Sequence, residues 1–211
     1  MTIVSINVSL PEVRRFGDRE VRTGGRKIPV PSVMLRRDNF EGDGQADLVR
    51  HGGRDRSVCL YAADHYRFWN AAEGLSLKPG DFCENLTVEG ALEDGICIGD
   101  IFAIGGARVQ VSLPRDPCGK IDLVSGVPSL AKRAIANGRC GFHMRTLEEG
   151  PVHTGDEMVC VARHAAGITV AAVMDLHYGR KFDRPLIETL IGMSEFAEEG
   201  RRFFRKMPGG S

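Results

Sequence analysis

Apolar residues alternate with polar ones, or gather in short β-branched runs, from the N-terminus to about residue 165, and Gly, Pro and Asp punctuate the runs. The pattern predicts strands over 2–8, 32–37, 57–61, 85–88, 95–98, 100–104, 108–113, 141–147 and 157–163. Gly105-Gly106 supplies the positive φ that a tight hairpin turn between two of them requires. Helical spacing breaks the series twice. Tyr66, Trp69 and Ala72 share a face of a segment at 62–73, and Ser129 can cap a helix that stops before Gly138. Helices do not alternate regularly with strands, so the expected fold class is mainly β, a barrel or sandwich with a few helices rather than a βαβ fold.

Beyond Gly167 the period becomes helical. Thr169 caps a predicted helix to about His177, Asp183 and Pro185 open a second, and Ser194 opens a third to about Met207. In the last, Glu195, Glu198 and Glu199 precede Arg201, Arg202, Arg205 and Lys206, an order that suits the helix dipole, while Phe196, Phe203 and Met207 give a packing face. The expected division is a barrel domain over 1–165 and a three-helix domain over 166–211. The tail is expected to support the barrel or an external partner rather than supply the site, with His177 and Arg180 the residues to test otherwise.

The 211 residues carry a formal net charge of zero, which argues against a nucleic-acid-binding surface. No apolar run is long enough to span a bilayer, and the start, from Met1 to Asn7, lacks a basic region followed by a long apolar one. The chain is therefore expected in the cytoplasm, away from membranes. Six cysteines are spread without a CxxC pair, which weakens a structural zinc site, and Cys59, Cys97 and Cys160 fall in strand-like runs as reduced core thiols.

Cys118 stands apart. Within Ser112-Leu113-Pro114-Arg115-Asp116-Pro117-Cys118-Gly119-Lys120, two prolines stiffen the backbone, and Arg115 and Lys120 favour the thiolate, the form that attacks electrophiles and binds soft metals. A second polar stretch, 42–56, holds Gly52-Gly53 with Arg50, Arg54 and Arg56, residues suited to an anion but equally at home in a solvated loop. His51, beside the double glycine, could reach a ligand as hydrogen-bond donor or acid/base. In Phe82-Cys83-Glu84-Asn85, Asn85 offers a donor and an acceptor, and Glu84 could orient an arginine. His65, His143, His153, His164 and His177 read as core-edge or surface residues.

These segments together resemble the MOSC domain family, in its stand-alone bacterial hydroxylaminopurine-resistance, YiiM-like type. The matching residues run through Thr23-Gly24, Lys27, Pro29-Val30, Glu41 to Asp47, Val49 to Gly53, Tyr61, His65-Tyr66, Trp69, Glu84 to Leu86, Gly99-Asp100, Pro114 to Lys120, Gly138-Arg139, Gly141-Phe142 and Glu149 to Asp156. Two positions depart from the pattern: Cys83 stands where glycine is usual, and Arg54 where proline is common. The resemblance implies a MOSC-type β-barrel with a pocket for the molybdenum cofactor (molybdopterin) and Cys118 as molybdenum ligand. It further implies reduction of N-hydroxylated compounds such as 6-hydroxylaminopurine-type base analogues. Arg56, Arg115 and Lys120, with Gly52 and Gly53, would hold the pterin phosphate, while His51 and Asn85 face the substrate; alternatively, Arg115 polarises the departing oxygen instead of holding the phosphate. With no apparent flavin or nicotinamide domain, an external electron-transfer protein is the expected partner, and a homodimer the expected assembly. The alternative is a carrier that delivers molybdopterin, or persulfide sulfur on Cys118, to other enzymes.

Overall fold

The computed structural model describes residues 1–207. Twelve strands form within them: β1 Thr2–Val8, β2 Glu12–Phe16, β3 Arg19–Thr23, β4 Ile28–Val30, β5 Ser32–Leu35, β6 Val58–Ala62, β7 Leu86–Glu89, β8 Ile101–Ile104, β9 Ala107–Pro114, β10 Phe142–Glu148, β11 Gly150–His153 and β12 Met158–Ala162. Seven helices accompany them: α1 Leu48–His51, α2 Ala63–Ala72, α3 Lys120–Ser125, α4 Leu130–Asn137, α5 Val170–His177, α6 Arg184–Gly192 and α7 Glu198–Arg205. Eight strands make one sheet in the order β12-β8-β9-β10-β6-β7-β1-β4, and β11-β5 and β2-β3 pair separately. Only β6 and β7 run parallel, joined through α2, as a parallel pair demands a long crossover.

The expected closed barrel is not found. The inner edge of β1 is divided: Ile6–Val8 pair with β4, while Thr2 reaches Glu157 before β12 through one isolated bridge. A bulge between Ile3 and Ser5 separates the two partners, and such a kink ends a ladder. The result is a sheet that does not close as a continuous ladder, its two ends meeting only where Met1 and Ile3 exchange backbone bonds with Gly155, Asp156 and Met158. Gly95–Ile98, expected as a strand, likewise makes only a bridge from Cys97 to Thr169 and backbone bonds to the segment entering α5.

Two apolar clusters hold the molecule. Tyr61, Tyr66, Trp69 and Phe82 of the smaller one join α2 to α3 and α4, with Trp69 Nε1 donating to Tyr61 Oη at 2.8 Å and the Tyr61 and Phe82 rings stacked 4.0 Å apart. The larger cluster contains Ile3, Val88, Phe102 and Val109 from the sheet, and also Val170, Val173, Met174, Leu176, Ile187, Leu190, Phe196 and Phe204 from the last three helices. These helices exist where the capping residues place the first two: Thr169 accepts from Ala172 N–H at 3.1 Å, and Asp183 from Leu186 N–H at 3.0 Å. The third starts at Glu198 rather than Ser194, because residues 194–197 bend so that Phe196 packs into the core and Ala197 N–H donates to Ser112 O at 3.0 Å. The tail thus shares the core of the sheet. All six cysteines are free; Cys59 is buried as expected, but Cys160 on the edge strand β12 and Cys97 in the segment before β8 are only half-buried.

Candidate functional site

A cleft of about 100 Å³ opens where loops leave the ends of β3, β6, β9 and β10, and its lining includes His51, Arg56, Cys59, Cys83, Asn85, Arg115, Cys118, Lys120 and His143. Segments distant in sequence, 23–27, 44–59, 83–85, 115–121 and 143, therefore meet at one point. No helix among the described residues is long and apolar enough to cross a membrane.

Cys118 is half-buried in this cleft. Burial alone would raise its pKa, but a side-chain hydrogen bond from His51, the backbone N–H of Lys120 and the charge of Arg115 more than offset it, and the thiol is brought down to about 7. The other cleft thiols behave oppositely. Burial pushes Cys83 up to about 12 and also raises Cys59, leaving both as neutral thiols.

Arg115 is buried beneath the cleft, donating through Nη2 to Phe82 O while its Nη1 has no partner. Burial opposes its charge, but the Glu84 carboxylate and the Cys118 thiolate beside it favour the protonated guanidinium. Lys120 follows Gly119 at the start of α3, and within 4.0 Å no carboxylate of the described residues pairs with it. Arg56 is half-buried and bonds Glu199 of α7 at 2.6 Å, so the tail reaches the cleft's border after all. His177 lies in a neighbouring cavity, whereas Arg180 is tied to Ile135 O and to Asp175 at 3.2 Å, outside both.

Two assignments change. Asn85 lines the cleft, but its amide is committed: Oδ1 accepts from Cys59 N–H at 3.2 Å, and Nδ2 donates to Asp43 Oδ2 at 2.9 Å and Asn7 O at 3.3 Å. It is a positioning residue, because both polar ends face protein. Gly52 and Gly53 do not line the cleft. Gly52 N–H closes α1 onto Leu48 O, and a Cβ there would come within 2.7 Å of that oxygen; Gly53 has φ +100°. The glycines turn the chain so that His51 on one side and Arg56 on the other face inward, while Arg50 and Arg54 stay exposed outside.

Sequence reading missed Asp43, Lys27 and His143. Asp43 accepts from Ser9 N–H at 2.8 Å, pairs with Lys27 and receives Asn85, tying the polar loop to β1 and to the loop before β7. Its position between Gly42 and Gly44 was the available signal. His143 sits opposite Cys59 in the β10–β6 register and lines the cleft floor with an unpartnered Nδ1. Burial, then the charges of Arg56 and Arg115, hold it well below its usual range, so it is neutral. Glu84 orients no arginine of the polar loop: its Oε1 accepts from Tyr66 Oη and Gly80 N–H, both at 2.8 Å. Cys83 has φ +60°, a conformation in which glycine is free and an L side chain is strained, which is the physical sense of its departure from glycine.

Residues 47–159 match the MOSC domain. The chain is 40% identical to the uncharacterized protein YflK of Bacillus subtilis over 97% of its own length and 93% of the relative's. It is 37% identical over 117 residues to a protein named reductase from Gibberella moniliformis, covering 54% of this chain and 21% of that one. The crystal structure of YiiM from Geobacillus stearothermophilus superimposes with a TM-score of 0.82 at 30% identity, over 97% of both chains. The matched segment holds His51, Arg115, Cys118 and His143, and the likeness extends through the helical tail, so this chain belongs to the MOSC domain family, among its stand-alone YiiM-like members.

Proposed function

We propose that the chain is a molybdenum-cofactor-dependent reductase of N-hydroxylated compounds. The observation that carries this reading is a thiolate-forming Cys118 in a cleft whose free donors are cationic or neutral: Lys120, the unpartnered Nη1 of Arg115 and the unpartnered Nδ1 of His143. A soft anionic sulfur beside donors for an anionic phosphate fits a pterin-borne soft metal. Cys118 would ligate the metal, and Lys120 and Arg56 would hold the phosphate. When bound, the cofactor supplies two-electron chemistry.

Converting N–OH to N–H takes two electrons and two protons and releases water. The chain's own part is to bind, orient and donate protons. His51 donates a hydrogen bond to Cys118 and so holds a proton beside the thiolate, at a place from which a departing oxygen can be protonated. With the phosphate on Lys120 and Arg56, the free Nη1 of Arg115 is instead available to polarise that oxygen. The electrons come from an external electron-transfer protein. The partial relation to a protein named reductase supports this reading. The half-exposed position of Cys118 also supports a persulfide carrier, and the same experiment separates the two.

Protein from a host that makes the cofactor should contain one molybdenum and one pterin per chain and reduce 6-hydroxylaminopurine with a chemical reductant. Cys118→Ser should lose both metal and activity, because a hydroxyl is harder and less acidic than a thiol. Equal metal content and turnover in the mutant would refute the assignment, and sulfane sulfur on Cys118 without bound metal would mark the carrier.

A further inference from the structure

A second cavity of about 140 Å³ lies between β9 and the tail helices α5 and α7, and it shares Arg56, Arg115 and Asp116 with the thiolate cleft. Its character is different. Leu113, Val173, Met174 and Phe204 make an apolar body, and His177 and Phe203 stand at one side with ring centroids 4.3 Å apart. Its polar border is of mixed charge: Asp116 accepts from Tyr178 Oη at 2.7 Å, Glu199 pairs with Arg56 at 2.6 Å, and Arg115 lies at the wall shared with the cleft. Protein interiors are close-packed, so an apolar void of this size beside a reactive cleft is a feature of the site rather than slack.

We propose that this cavity is the subsite for the planar aromatic ring of the substrate, with the ring stacked against His177 and Phe203, its ring N–H toward Asp116 or Glu199, and its N–OH group at the shared wall facing Cys118. Burial lowers the pKa of His177, which keeps the imidazole neutral and able to stack on a neutral ring. Charge decides between the two ring systems that a reductase of this kind would hold. The pterin carries a phosphate and belongs with Lys120, which lines only the first cleft, whereas the body of the second cavity is apolar and the charges of Arg56 and Glu199 at its border are paired with each other, which suits an uncharged ring. The direction of the N–OH group rests on the reductase reading; occupancy by an amino-substituted aromatic ring does not.

The test uses the full chain without cofactor and adenine, the amino counterpart of an N-hydroxylaminopurine. Calorimetry should show adenine binding that weakens about tenfold in Phe203→Ala and in His177→Ala and is unchanged in Cys118→Ser. Both altered residues are partly exposed, and thermal melting verifies each fold. In the wild-type protein, magnetisation should transfer from the Phe203 and Tyr178 rings to the adenine H8 proton. In cofactor-loaded enzyme, Phe203→Ala should raise KM and leave kcat nearly unchanged. Absence of adenine binding, equal affinity in both ring variants, or no transfer from those rings would overturn the subsite. So would displacement of adenine by phosphate-free pterin whose own binding shows the same dependence on Phe203, since the cavity would then belong to the pterin. Should adenine bind as described while loaded enzyme reduces no N-hydroxylated compound, the ring subsite stands and the reductase reading falls.

Discussion

Cys118 acquires its reactivity from three neighbours, of which two stand within three residues of it and one does not. Arg115 and Lys120 are visible beside it in the sequence, so a low-pKa thiol could be read directly. The hydrogen bond from His51 crosses from another loop, and only the fold supplies it. The consequence is measurable as an alkylation profile. With its pKa brought to about 7, Cys118 is mostly thiol below that pH and mostly thiolate above it, so its rate with iodoacetamide should rise through pH 7. Cys59 and Cys83, whose burial raises them, should stay unreactive across the same range. Replacing His51 by Ala removes a bond and a charge that favour the anion, and the inflection should move upward. An inflection that stays near 7 in that variant would show that His51 does not set the thiolate. His143 illustrates the opposite case. Its partners Cys59 and Leu113 are cross-strand neighbours, and nothing adjacent to it in sequence marks a cleft residue.

At the scale of elements, local signals were legible in many elements with one buried face, although β11, buried at alternate residues, was not among the expected strands. Strands β1, β9 and β10 and helices α2, α5 and α6 show the period of their buried side, and α5 and α6 start at the ordinary cap residues Thr169 and Asp183. The hairpin β2–β3 was not legible, because its residues are exposed or half-exposed nearly throughout and Arg14, Arg15, Arg19 and Arg22 obscure any alternation. In the polar loop the sequence showed flexibility and charge, but not the buried Asp43 that anchors it. That anchor predicts what Asn85 does. Asn85→Ala leaves Cys59 N–H unsatisfied and strips a donor from the buried Asp43 carboxylate, a loss of about 2–3 kcal/mol. Urea titration should show that drop in stability. A residue acting directly on substrate would instead show lost turnover at unchanged stability, and that result would return Asn85 to the catalytic set.

At the scale of the whole molecule, fold class was readable but closure and modularity were not, because both depend on contacts between segments far apart in the chain. The change of period near residue 167 marks a change of secondary structure, yet it does not mark a boundary in the core. Ten tail side chains, from Val170 to Phe204, lie in the same cluster as Phe102 and Val109, and Ile98 N–H and Val170 N–H bond across the junction at 2.9 and 2.8 Å. Burying one such side chain contributes about 1.5–3 kcal/mol. Removing the tail takes all of these from a cluster they share with the sheet, and leaves the sheet's apolar face open to water. Truncation after Ala165 should accordingly give a chain that does not fold, rather than a barrel that still binds cofactor. The loss extends to the site, since Glu199 goes with the tail and leaves Arg56 without its carboxylate. Circular dichroism and melting of the truncated chain decide the matter: a cooperative transition with native strand content would show that 1–165 is an independent domain, and its absence would show that sheet and tail are one folding unit.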